Sequence, residues 1–264
     1  MFNNIREVIA DKDLLFILAK RDITVRYKQT TLGILWAVIR PIATMFVFIF
    51  AFSQAPELNN KSEYPLQLVL FSGILLWNFF ANTFQAVSNS LLVNSNLISK
   101  VYFPRLIIAF SSISVALLDL LIGVAVYVVM SIYFNQPITI HFIYLPIIIF
   151  FTTLFSVGLG LITGSYSIKY RDILQIIPLV VQYGFFISPV IFTAQSLIDK
   201  YWFNYYLIAN PIVGFIEMTR SVLLNNYSSI SIFHISITLL TSVVVFIIGI
   251  FIFTKRENAF VDHL

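Results

Sequence analysis

The chain has 264 residues, of which 59% are hydrophobic and 11% charged, with a formal net charge of +4, and its mean hydropathy is +0.92. A soluble domain carries about 25% charge, and a water-soluble fold of this size has no interior that could hide such an apolar excess. A soluble enzyme, a disordered chain and a nucleic-acid-binding module are excluded, which leaves a polytopic membrane protein. Cys is 0, so disulfides, thiolate nucleophiles and thiolate metal sites are absent as well.

Residues 1–31 are too charged to insert, and no apolar stretch precedes a small-residue cleavage site. The first span is therefore expected to act as an uncleaved anchor. Within this start, 11–27 reads as a helix with Leu14, Leu15, Leu18 and Val25 on one side at 100° per residue. It is an amphipathic helix lying on the interface, or else a solvated start.

Six apolar runs follow that are long enough to cross a bilayer at 1.5 Å per residue: 34–53, 65–93, 106–134, 142–165, 173–192 and 232–254. They are continuous, unlike the alternating ten-residue strands of a barrel, so an all-α polytopic membrane protein with six transmembrane helices is expected. The third carries Asp119, an intramembrane acid that reads as a proton-relay group or as a hydrogen-bonded packing residue. The fourth has Ser156, Gly160 and Gly164 at four-residue spacing, interrupted by Gly158, a pattern that permits close helix approach. The fifth is broken by Pro178, Gly184 and Pro189.

Between the fifth and sixth runs, Tyr201, Trp202, Phe203, Tyr205 and Tyr206 precede Asn210-Pro211. The stretch 212–224 is too short to span and too apolar for water, and Glu217 and Arg220 would be helix neighbours. A pair of re-entrant or interfacial helices is expected here, the alternative being a loop with an aromatic belt.

Charge then sets orientation. Arg6, Lys12, Lys20, Arg21, Arg26, Lys28, Lys100, Arg105, Lys169, Arg171, Lys255 and Arg256 fall on one side of this scheme, against Lys61, Lys200 and Arg220 on the other. Arg40 lies inside the first run and can snorkel. The basic side faces the cytoplasm, so both termini are expected inside. Catalytic groups do not converge: there is no G-x-x-x-x-G-K-[ST] phosphate cradle, and His141, His234 and His263 are far apart. No cofactor or metal site is expected in this chain.

The stretch Arg21-Asp22-Ile23-Thr24-Val25-Arg26-Tyr27-Lys28-Gln29-Thr30, with Leu32-Gly33, Trp36 and Pro41, resembles the approach to the first span in ABC type-2 permeases of polysaccharide export. Gly73 with Trp77-Asn78-Phe79-Phe80 resembles that family's second span, and Lys100-Val101-Tyr102-Phe103-Pro104-Arg105 its first cytoplasmic loop. Tyr170-Arg171-Asp172, Ser188-Pro189-Val190 and Asn210-Pro211 continue the match in order. The nearest subgroup is the O-antigen exporters, with teichoic-acid and capsule exporters as relatives.

The resemblance implies a single transmembrane domain over 1–264 that forms a homodimeric, twelve-span channel in the bacterial inner membrane. Two copies of an ABC ATP-binding subunit would carry ATP and Mg, and the cargo would be a lipid-linked glycan. Under this reading Lys100, Tyr102, Phe103, Pro104, Arg105, Tyr170, Arg171 and Asp172 couple to the ATPase, unless the basic residues serve topology alone. Pro104 is expected in the first turn of the third span. Trp77, Phe79, Phe80, Phe84, Tyr183, Phe185 and Phe186 are candidates for a sugar-sliding wall, or else pack the bundle. Arg26, Lys28 and Arg40 would hold a lipid pyrophosphate or anionic headgroups. Tyr201, Trp202, Tyr205, Tyr206, Glu217 and Arg220 would form an outer gate. A membrane-embedded transferase and a proton-coupled transporter are the competing classes.

Overall fold

Among the residues that the computed structural model describes (10–28, 30–52, 64–98, 100–101, 103–197, 200–225 and 231–257), the regular structure is helix, with no strand. The first two helices, α1 (Lys12–Lys28) and α2 (Leu35–Phe52), are joined by a reversal in which Gly33 takes φ 51°. Glycine adopts this left-handed conformation without a steric penalty. The central helix is α3 (Leu66–Val93), followed by a single helical turn at Ser95–Ile98. α4 (Leu106–Ser111) and α5 (Ile113–Tyr133) continue through Ser112 as one apolar rod. A short 3-10 turn (Ile140–Tyr144) leads into α6 (Leu145–Ser167), and α7 (Ile173–Ile187) follows. α8 (Phe203–Ala209) and α9 (Pro211–Leu224) meet at a 100° bend. Pro211 opens α9, where its missing N–H costs nothing. The last helix is α10 (Ile232–Arg256), capped by Ser231, whose hydroxyl accepts from the His234 amide at 3.4 Å.

By length and composition, Leu66–Val93, Leu106–Tyr133, Ile140–Ser167 and Ile232–Arg256 can cross a membrane. They are the second, third, fourth and sixth of the expected runs. The first and fifth runs form the shorter apolar helices α2 and α7. α7 ends at Ile187, ahead of the expected limit at 192. Ser188 is extended, with ψ 154°, because the residue before a proline is pushed out of the helical region. The bent pair α8–α9 has the form of a broken span or a re-entrant loop, in line with the two short helices expected there.

Close packing explains the small residues of α6. A Cβ added to Gly160 would lie 2.6 Å from the Cβ of Val87 on α3, and one on Gly158 would lie 2.7 Å from the Phe246 nitrogen on α10. Gly158 therefore does not interrupt a single seam; it serves a second face. Across that face, a Cβ on Gly249 would lie 2.5 Å from the Gly158 carbonyl oxygen. The two ends of the bundle differ in chemistry. At one end the Arg105 guanidinium donates to the Glu257 carbonyl, and the Arg256 guanidinium lies 3.7 Å from the centre of the Tyr166 ring. At the other end His234 Nε2 is 2.8 Å from Asn204 Oδ1.

α1 packs along α4 and α5. Leu18 is buried, with Leu14 and Leu15 packed beside it. Val25, expected on the apolar side, is instead exposed. Arg21 Nη2 donates to Asn94 Oδ1 at 2.7 Å, tying α1 to the end of α3.

Candidate functional site

The last turn of α1 delivers Arg26 and Tyr27 against Asp119 of α5. Arg26 Nη2 stands 2.9 Å from Asp119 Oδ2, and the Tyr27 hydroxyl donates to Asp119 Oδ1. Burial first, and then the hydrogen bond to Asp119, push the Tyr27 phenol well above its ordinary value, so it stays protonated and able to donate. Asp119 thus finds both of its partners in α1, a segment outside the apolar runs. Its environment is that of a hydrogen-bonded acid held by a cation and a phenol.

These groups form one wall of a cavity of about 500 Å³. The Gly33 reversal brings the first turns of α2 over it, with Trp36 and Arg40 lining the space, while α3 contributes Asn78, Phe79 and Asn82. The Arg40 guanidinium sits 5.4 Å from the centre of the Trp36 ring, within cation–π range. The cavity is thus lined by two guanidiniums, one carboxylate, two carboxamides and several rings. Guanidinium forks bind phosphate oxygens in bidentate fashion. Of the three basic candidates, Arg26 and Arg40 meet here, and Lys28 is not part of the lining.

The other sequence candidates divide clearly. Trp77, Phe79, Phe80 and Phe84 are buried inside the helix bundle. Phe80 stacks between Phe84 and Phe155, and Trp77 meets Phe185 edge-on. Of these buried rings, Phe79 borders the cavity. Tyr183 and Phe186 are exposed on α7. Lys100, Tyr170, Arg171 and Asp172 are exposed, Phe103 packs on a buried apolar cluster, and Tyr102 lies outside the described residues. Pro104 stands before the N-cap Arg105, not in the first turn, and its carbonyl accepts from Ile107 at 3.0 Å.

Tyr201 and Tyr205 are exposed, and Trp202 meets Tyr206 edge-on, whose hydroxyl donates to the Ile187 carbonyl at 2.5 Å. Glu217 and Arg220 lie apart from that exposed cluster, with their side chains 2% and 4% exposed and 2.7 Å apart. Arg220 also donates to the carbonyls of Val190 (2.7 Å), Phe192 (2.8 Å) and Val69 (3.4 Å), while Glu217 accepts from the Ala194 amide at 2.9 Å. The pair clamps the turn segment after α7 onto α9 and α3. Its members were legible from their three-residue spacing. The partners of Asp119 and the cavity role of Asn78 and Asn82 were not found from sequence, although the four-residue spacing of the two amides was visible.

Comparison with known proteins adds the family. The ABC-2 type transporter profile matches residues 13–224. The O-antigen export system permease protein RfbA of Klebsiella pneumoniae is 26% identical over 258 residues, covering 96% of this chain and 95% of that protein. The RfbA protein of Myxococcus xanthus is 23% identical over 222 residues, 84% of each chain. The polysialic acid transport protein KpsM of Escherichia coli is 26% identical over 246 residues, 90% of this chain and 92% of that protein. With its long apolar helices the chain is a multi-pass membrane protein, and it belongs to the ABC-2 type transporter family.

Proposed function

We propose that the chain is the channel-forming subunit of an ATP-driven exporter that carries a lipid-linked polysaccharide, O-antigen foremost, across the bacterial inner membrane. The observation that carries this reading is the match, over nearly the whole chain, to proteins named for O-antigen export. The similar extent of the match to a polysialic acid transport protein favours a second reading, in which the same fold carries a capsule polymer.

The reading takes α2 and α7 as the two remaining crossings of a six-span subunit with both termini in the cytoplasm. The 18 residues of α2 make a helix about 27 Å long, close to the roughly 30 Å hydrocarbon core, and local thinning accommodates the difference. Two copies enclose the path, and two copies of a separate ATP-binding subunit, which hold ATP and Mg, dock at the end that carries Arg105, Tyr166 and Arg256.

Several contacts support a mechanism. A push on α1 passes through Arg21–Asn94 to α3 and through Arg26–Asp119 to α5, so it reaches the cavity walls directly. Arg26 and Arg40 hold the diphosphate of the carrier lipid there, with Arg26 passing from Asp119 to the incoming phosphate oxygens. The exposed Tyr183 and Phe186 offer ring faces to sugars, and the exposed Tyr201 and Tyr205 rim the exit.

Deletion of the gene tests the reading. The surface polysaccharide is expected to vanish and lipid-linked polymer to accumulate on the cytoplasmic side, whereas an intact surface coat overturns it. Replacement of Arg26, Lys28 and Arg40 together by Gln is expected to abolish export; wild-type export would remove the phosphate-holding role.

A further inference from the structure

α3 is enclosed on almost every side. From Leu68 to Leu91 every residue is buried except Asn78, Asn82, Gln85, Ala86 and Asn89. Apart from one alanine, the open line on this helix consists of carboxamides. At 100° per residue the four amides fall within about 60° of arc, so they form one stripe running along the helix.

The amides are available for binding. Asn78 and Asn82 make no side-chain hydrogen bond among the described residues, and both border the cavity that holds Arg26 and Arg40. Gln85 donates to the Ala81 carbonyl at 3.3 Å and Asn89 to the Gln85 carbonyl at 2.9 Å, which leaves both side-chain oxygens open. Such groups facing hydrocarbon would carry the full cost of unmet hydrogen bonds. The stripe therefore faces something polar.

From these observations we infer that Asn78, Asn82, Gln85 and Asn89 form a track along which the hydroxyl groups of a sugar polymer slide. The inference rests on the polysaccharide-export reading and deepens it. A carboxamide both donates and accepts, as a sugar hydroxyl does, and carries no charge. Charged side chains would trap a polymer, whereas passage needs many weak, equivalent contacts. Successive amides rise about 4.5 to 6 Å along the helix, close to the length of one pyranose ring along an extended glycan, so each step of the chain finds a new partner. The exposed Gln175 and Gln182 of α7, a helix that packs on α3, add amides of the same kind. The track begins where the guanidiniums end, so the diphosphate and the first sugars are held by adjoining parts of one surface.

The sequence contains no cysteine, which makes the test direct. Asn82→Cys, Gln85→Cys and Asn89→Cys, each placed singly in the full chain assembled with its ATP-binding partner, are treated in membranes with a charged methanethiosulfonate. Phe84→Cys, at a position buried in the protomer, is the control. Only thiolate reacts, and each unit by which hydrocarbon raises a thiol's pKa slows the reaction about tenfold. The three track positions are expected to react at least tenfold faster than the control. They are also expected to be shielded when polymer is stalled in the path by a partner subunit that cannot hydrolyse ATP, relative to cells that make no polymer. Slow reaction at all three positions, or equal reaction with and without polymer, overturns the track. A disulfide between the Asn82→Cys residues of two copies assigns the stripe to the seam between subunits and overturns it too. Failure of the export reading is separate: the gene deletion then leaves the surface polysaccharide intact, and the reaction stays fast with no shielding.

Discussion

Replacing Arg220 with Leu removes the cation from a buried cluster in which Glu217 is 2% exposed. The carboxylate keeps the Ala194 amide but loses its counter-charge, and the carbonyls of Val190 and Phe192 lose their donor. Breaking a buried ion pair from one side costs about 3–5 kcal/mol. That corresponds to a fall in melting temperature on the order of 10 °C for a chain of this size. The assay is thermal unfolding of the purified protein in detergent, followed by near-UV circular dichroism. Glu217→Gln still offers an acceptor to the Ala194 amide but buries the Arg220 cation without its counter-charge, so it is expected to cost about 3 kcal/mol, the low end of the same range. Replacing both residues by Leu is expected to be less damaging than the sum of the single changes, because no lone charge is then buried. A loss under about 1 kcal/mol for Arg220→Leu, or strict additivity in the double variant, would refute the clamp.

Asp119→Asn keeps an acceptor for the Tyr27 hydroxyl and loses only the attraction to Arg26. The Arg26 side chain is 40% exposed, so the expected cost is under about 1 kcal/mol, read by the same unfolding assay. Asp119→Leu, which also strips the Tyr27 partner, is expected to detach the end of α1, seen as new protease cleavage between α1 and α2. Gly249→Val forces a side chain into the space 2.5 Å from the Gly158 carbonyl and is expected to cost about 1–3 kcal/mol or more, with reduced membrane levels of the protein. Normal levels and melting would contradict the close crossing of α6 and α10. A cytoplasm-only reporter fused to the C-terminus is expected to be active; activity of a periplasm-only reporter alone would overturn the proposed orientation.

Much of the architecture could be read from the residues because apolar run length is a coarse, robust quantity. The runs at 65–93 and 232–254 match α3 and α10 to within a turn. The pair Glu217–Arg220 was legible because helix geometry puts residues three apart side by side. Facing was harder to read. The aromatic residues of α3 have helical spacing, but nearly the whole circumference of that helix is buried, so periodicity in them carries no information about a lumen. The informative residues were the few polar ones, whose regular spacing stands out only once the surrounding burial is known. The partners of Asp119 cannot be read from spacing, because they lie about 90 residues away in a different helix. Arg26 and Tyr27 sit at the end of a helix assigned to the interface, and the Gly33 reversal folds that end back against α5.

One consequence follows from the glycines of α6. This helix touches α3 through Gly160 and Gly164 and α10 through Gly158 and Gly249, at distances that leave no room for side chains between them. Backbones in such contact cannot slide without collision, so α3, α6 and α10 move as a single rigid block. Side chains can change rotamer where backbones cannot, which assigns motion to the elements that touch the block only through them. α7 meets α3 through the Phe185 and Trp77 rings, a contact that rotamer change can alter, while the segment behind it is held at Val190 by the Arg220 clamp, so any shift of α7 against the block is a pivot about that held end.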